Sequence, residues 1–161
     1  MNQYEQIIKE ISAFKYFLES MMNDSKNKIY KPYLVTCTIQ TYYEYVTKIL
    51  KKNLRDRSIH SERINYLKSN NIIDEEEFKI LDKTRLLRNS FSHDLTYFPD
   101  VEEIKSLHPI FSPYTDQHKI GSLVLQEEKE YAYLNIIIKG YCIISNRLST
   151  KVGTALKEIL P

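Results

Sequence analysis

The chain has 161 residues, 42% of them hydrophobic and 27% charged, with a formal net charge of +2. That length allows one domain with a real core and is short for two, so a single domain over 1–161 is expected. The charge is too small to argue nucleic-acid binding by itself, and any basic surface must be local. No apolar run approaches a membrane span, and the start "MNQYEQIIKEI" lacks the pattern of a signal peptide. The expected location is therefore the cytoplasm.

Only three glycines and five prolines interrupt the chain, which favours long elements. Over about residues 2–22, Tyr4, Ile7, Ile8, Ile11, Phe14, Leu18 and Met21 recur at the three-and-four spacing of one helical face. The polar run "NDSKNK" breaks this helix. Pro32 suits the first turn of a second helix, where its missing amide hydrogen costs nothing. That helix is expected to reach about Leu54, with Leu34, Val35, Ile39, Tyr42, Val46, Ile49 and Leu50 along its apolar stripe. It ends in "KKNLRDR", where Lys51, Lys52, Arg55 and Arg57 form the densest local basic cluster. Cations at a negative helix terminus are the simpler reading, and a contact with RNA is the weaker one.

A shorter helix follows over about Ser61 to Ser69, and a fourth starts at Asp74. Asp74 and Glu77 stand at capping-box spacing, and "DEEE" puts acid at the positive end of the helix dipole. Its core stripe is Ile80, Thr84, Leu87 and Phe91, with Leu95 as a further candidate. The stretch 96–125 contains Pro99, Pro109, Pro113 and Gly121 and reads as a long loop. A short helical turn near "DVEEIKSL" and a strand-like "KIGSLVL" would break it up. The last long helix starts near Gln126 and is apolar almost all round, which places it at the centre of a bundle or in a subunit interface. The expected fold is all-α: a bundle of about five helices with a long loop before the last.

Cys37 and Cys142 sit in apolar contexts and read as buried thiols, reduced in a cytosol. His60, His93, His108 and His118 show neither helical HxxxH spacing nor HExxH, so no metal or other cofactor is expected. The 13 tyrosines accompany abundant isoleucine, lysine and asparagine and scarce alanine. That joint bias reads as nucleotide composition rather than as base-stacking surfaces.

The stretch "RNSFSHDL" lies in the fourth helix. At about 100° per residue, Arg85, Asn89 and His93 share a face, and Arg88 and His93 diverge by roughly 140° to flank it. The stripe Ile80–Thr84–Leu87–Phe91 points the other way. Three readings compete. One is a solvated face near a helix C-terminus, where Arg and His are electrostatically favoured. Another is a hydrogen-bonded fixture of a helix–helix contact. The third is chemical: an imidazole moves a proton near pH 7 while a guanidinium holds a phosphate, which is what metal-free RNA cleavage requires.

"RNSFSH" is an R-x4-H motif with asparagine directly after the arginine, and it resembles the signature of the HEPN superfamily (higher eukaryotes and prokaryotes nucleotide-binding domains). The resemblance covers most of the chain, with the motif at the end of a helix in its second half and a long helix after it. It implies a metal-independent endoribonuclease that cleaves single-stranded or structured RNA and dimerises to bring two motifs into one cleft. By position, Arg88 and His93 would be the catalytic pair and Asn89 their polar support. His93 would activate the ribose 2′-hydroxyl or protonate the leaving oxygen, and Arg88 would stabilise the pentacoordinate phosphate. The products would carry a 2′,3′-cyclic phosphate (or its opened form) and a 5′-hydroxyl.

Asp94 could orient His93 or be an exposed carboxylate, and Arg85 shares the motif's face. Glu44 in "TYYEYV" resembles an acidic residue on the second helix of some relatives; a plain surface glutamate is the competing reading. Relatives paired with nucleotidyltransferase antitoxins often carry R-x4-H-x-Y, and here Leu95 occupies the tyrosine position with Tyr97 two residues on. Many HEPN proteins are toxins of toxin–antitoxin or anti-phage defence systems, which implies an antitoxin or defence partner. Others are inactive, so a silent dimeric interaction module is the alternative function. A small-ligand-binding bundle finds no feature in its favour beyond the 96–125 stretch.

Overall fold

A computed structural model of the chain describes residues 2–24, 26, 30–94, 96–111 and 122–160. These residues form six α-helices and no strand: α1 (Gln3–Asn23), α2 (Lys31–Leu50), α3 (His60–Ser69), α4 (Glu75–His93), α5 (Val101–Phe111) and α6 (Gln126–Ile159). None of the described helices is long and apolar enough to cross a membrane.

Capping fixes where several of these helices start. Asn2 Oδ1 accepts from the Glu5 amide at 2.7 Å, and the Glu5 carboxylate accepts in return from the Asn2 amide at 3.0 Å. Asp74 and Glu77 form the same reciprocal pair at the start of α4, both at 2.7 Å. Glu77 is buried and its carboxylate also accepts from Lys151 Nζ at 2.5 Å, which ties the first turn of α4 to α6. Pro32 sits in the first turn of α2, as its geometry favours. That helix stops at Leu50, four residues short of the expected end, because Lys52 adopts φ 60°, a left-handed conformation that a helix cannot continue through.

Packing makes α2, rather than the last helix, the hub of the bundle: it touches α1, α3, α4 and α6, whereas α6 packs on α2, α4 and α5. Val35, Ile39, Tyr42, Tyr43, Val46, Ile49 and Leu50 of α2 are all buried. Its Thr36 hydroxyl lies 2.7 Å from the buried Tyr133 hydroxyl of α6, so two polar groups satisfy each other inside the core. The apolar run of α6 is accounted for within one chain. Tyr133, Leu134, Ile136, Ile137, Tyr141, Ile144, Leu148, Val152 and Leu156 are buried against the chain's own helices. The hydrophobicity of this helix therefore does not require a partner subunit.

The long loop expected over 96–125 holds an 11-residue helix, α5. Ile104, Leu107, His108 and Phe111 are buried at helical spacing, and this packing carries the helix through Pro109, which removes one i→i−4 bond near its end. Residues 112–121, which include Pro113, His118, Gly121 and the start of "KIGSLVL", lie outside the described residues, as does Leu95. The described part of that segment, 122–125, is not a strand. A Cβ built on Gly140 of α6 would stand 2.1 Å from Cδ1 of Phe111, so glycine is what lets α5 approach.

The cysteines correct a second expectation. Cys142 is exposed and Cys37 only half-buried, and both thiols are free. Apolar sequence neighbours did not predict burial because consecutive helical residues face directions about 100° apart. Cys142 thus points outward between the buried Tyr141 and Ile144.

Candidate active site

The core stripe of α4 dictates what its other side presents. Ile80, Thr84, Leu87 and Phe91 are all buried as their spacing requires. Thr84 donates its hydroxyl to the Ile80 carbonyl at 2.8 Å, so the one polar member of the stripe is satisfied locally. Phe91 is locked among three tyrosine rings, with centroids 6.0 Å from Tyr33, 5.0 Å from Tyr97 and 6.0 Å from Tyr133. This anchor fixes the rotation of α4 and turns Arg85, Arg88 and Asn89 away from the core.

Those three side chains line a cleft of about 370 Å³, together with Glu44 of α2, Arg57 and Ser58 of the connecting segment, and Ile59, His60, Ser61 and Arg63 at the start of α3. Arg88 donates from Nη2 to Glu44 Oε1 at 3.0 Å, and Gln40 Nε2 donates to the same oxygen at 3.0 Å. Glu44 is therefore neither a free surface carboxylate nor distant from the motif. The Arg88 and Glu44 side chains are 36% and 35% exposed, and ion pairs that wet are worth about 0–1 kcal/mol. A phosphate oxygen could take Glu44's place on Arg88 at small cost. Arg85 places Nε and Nη2 on Asp82 Oδ1, at 2.9 and 2.6 Å, which holds it beside Arg88 along the helix.

The remaining wall is buried. Arg63 Nη1 donates to the Ser58 carbonyl at 2.6 Å, and its Nε finds no partner among the described residues. His60 Nδ1 lies 3.3 Å from Thr47 Oγ1, and its Nε2 is likewise without a partner among the described residues. Burial pushes the His60 imidazole down to about 4; Glu44 opposes this, and the guanidiniums of Arg63, Arg85 and Arg88 reinforce it. At neutral pH the ring is uncharged. Neither His60 nor Arg63 stood out in the sequence. They share the α3 face with Ile64 and Leu67, and that i, i+3, i+4, i+7 spacing was the available signal that two polar groups occupy core positions.

The cleft gathers three of the four side chains expected on this face. His93, the last residue of α4, is exposed and is not one of the cleft's walls. Five residues separate it from Arg88, about 7.5 Å along the axis. Asp94 Oδ1 accepts from the Thr96 amide at 2.8 Å and from the Thr96 hydroxyl at 2.7 Å. These bonds hold the Asp94 carboxyl below its usual range and commit that oxygen to the turn ending α4. Tyr97 donates to Glu103 at 2.8 Å and packs on Phe91, so its half-buried hydroxyl serves the α4–α5 contact.

Half of the basic run after α2 is spent within the chain. Lys51 pairs with Asp56 at 2.9 Å and lies over the Tyr66 ring, 5.2 Å from its centroid. Lys52 pairs with Glu158. Arg55 is exposed in the turn, and Arg57 reaches the cleft. Among the described residues, no three His, Cys, Asp or Glu side chains come together in a way that could hold a metal ion.

No family model matches the chain, and neither the curated proteins nor the solved structures contain a significant match to it.

Proposed function

We propose that this all-helical protein is a metal-independent endoribonuclease of the HEPN type, acting on single-stranded or structured RNA as the toxin of a toxin–antitoxin or anti-phage defence system. The observation that carries this reading is the state of Arg88. Its guanidinium lines a cleft where three further arginines outnumber the single carboxylate, Glu44, and it is held by a contact that a phosphate can replace. An exposed imidazole, His93, lies on the same helix about 7.5 Å further along.

The chemistry follows from those two groups. The ribose 2′-oxygen attacks phosphorus as its proton leaves, and the bond from phosphorus to the 5′-oxygen breaks as that oxygen takes a proton. Imidazole serves either transfer near neutral pH. Arg88 grips two phosphate oxygens with its planar fork and offsets the charge that develops on them. One His93 cannot give and take at once, so two copies in a homodimer supply one imidazole for each proton. The dimer rests on the family resemblance and on this division of labour, not on the apolar α6.

Purified variants test the assignment through cleavage of a labelled single-stranded RNA beside thermal melting by circular dichroism. Arg88→Ala is expected to melt close to wild type and to lose about 10²–10³ in rate, the usual cost of removing one charge-stabilising donor. Arg88→Lys should recover little, because the ammonium keeps the charge without the fork. Cleavage by Arg88→Ala at the wild-type rate would remove the nuclease reading and favour a silent interaction module.

A further inference from the structure

We propose that the cleft between the start of α3 and the Arg85–Asn89 face of α4 is a second phosphate subsite, holding an RNA phosphate that flanks the scissile one. The ligand's identity as RNA rests on the ribonuclease reading; the subsite rests on three observations of its own. First, Arg57, Arg63 and Arg85 line the cleft beside Arg88, which is left to the scissile phosphate; Glu44 pairs with Arg88 and Asp82 with Arg85, so Arg57 and Arg63 remain in excess of the carboxylates. Second, a 10-residue helix begins in its wall. The first helical bond there runs from the Arg63 amide to the Ile59 carbonyl at 3.2 Å, so the His60, Ser61 and Glu62 amides precede the ladder at the positive end of the dipole.

Third, two walls are buried and incomplete. His60 and Arg63 are 5% and 8% exposed, and His60 Nε2 and Arg63 Nε lack partners among the described residues. Buried nitrogens of this kind are costly to leave unmade. His60 spends Nδ1 on Thr47 of α2, and the residue is one of the walls of the cleft. An anion seated there would offer acceptors to the Arg57 and Arg85 guanidiniums and to the α3 amides. A volume of about 370 Å³ accommodates a phosphate with its ribose.

Two sources share this chemistry, an internal RNA phosphodiester and a free mononucleotide, and the test separates them. The probes are a fluorescent single-stranded oligoribonucleotide with a 2′-O-methyl backbone, which cannot be cleaved, and a nucleoside monophosphate. Ser61→Asp puts a carboxylate at the second position of α3, where it suits the helix dipole and should keep or raise Tm. The same carboxylate should repel the phosphate and weaken oligonucleotide binding at least tenfold. Arg57→Ala removes an exposed side chain and should lower the slope of log affinity against log salt by about 0.7, the value for one phosphate contact on a single strand. The monophosphate should displace the oligonucleotide only at millimolar concentration. Wild-type affinity in both variants overturns the subsite, even if His93-dependent cleavage stands. Micromolar displacement by the monophosphate overturns its assignment to RNA. Variant-sensitive binding by a protein that never cuts RNA keeps the subsite and removes the nuclease.

Discussion

Replacing His60 with glutamine removes an imidazole that burial holds at about 4, against about 6.5 for the same group in an unfolded chain. Because the folded value is depressed, the unfolded state binds the extra proton first. Stability from keeping this ring neutral is fully present above pH 6.5 and is lost as pH falls towards 4. The gap is worth about 3 kcal/mol at about 1.36 kcal/mol per pH unit, and about 2 kcal/mol of it is lost between pH 7.5 and pH 5. Other groups act lower on the scale. Hydrogen bonds hold Asp56, Asp94 and Glu128 below the usual carboxylate range, and their contributions fade only as pH drops through about 4. They are also common to both proteins and cancel in the difference. Urea unfolding of wild type and His60→Gln at pH 7.5 and pH 5, at one ionic strength, reads it directly. Wild type is expected to lose about 2 kcal/mol more than the variant over this interval. Parallel losses would show that the ring is not buried beside Thr47 and the arginines, and the wall of the cleft would be misplaced.

Three further perturbations separate packing from chemistry. Phe91→Ala empties the site shared by Tyr33, Tyr97 and Tyr133 and should cost roughly 3–5 kcal/mol in denaturant unfolding; a cost under 1 kcal/mol would mean that this aromatic cluster does not anchor α4. Gly140→Ala drives a methyl into the Phe111 ring and should cost about 1–3 kcal/mol, whereas an unchanged melting temperature would show that α5 does not press on α6 as described. Glu44→Gln removes the charge competing for Arg88, so oligonucleotide affinity should rise several-fold with stability changed by no more than about 1 kcal/mol. Weaker binding in that variant would make Glu44 a positioning residue for Arg88 rather than its competitor.

How much of this the sequence showed depends on the range of the forces involved. The start of α4 was legible because a capping box is local: Asp74 and Glu77 are three residues apart and satisfy each other. Its inward face was legible because Ile80, Thr84, Leu87 and Phe91 keep a helical period, and their burial left the motif facing outward. A helical turn near "DVEEIKSL" was legible, but Pro109 reads as a breaker and hid the full Val101–Phe111 length of α5. The role of α2 as hub was not visible, because a helix buried on several sides needs neighbours that only the tertiary fold supplies. The same holds for the cleft. Arg88 and Asn89 stood out by spacing and motif, and Glu44, 44 residues from Arg88 in sequence, only through the family resemblance, while His60 and Arg63 belong to another helix and were not singled out. Asp94 shows the converse, since a carboxylate beside His93 in sequence turned its oxygen to Thr96.

Whether His93 and Arg88 cut RNA without a metal, as proposed, is decided by the ends of the product. A labelled single-stranded RNA is incubated at neutral pH in excess EDTA with wild type and with His93→Ala, whose exposed side chain leaves no cavity. The expected result is fragments ending in 2′,3′-cyclic phosphate and 5′-hydroxyl with wild type, and none with a His93→Ala variant of unchanged melting temperature. Cleavage that EDTA abolishes and manganese restores, or undiminished cutting by His93→Ala, would rule out metal-free chemistry at His93.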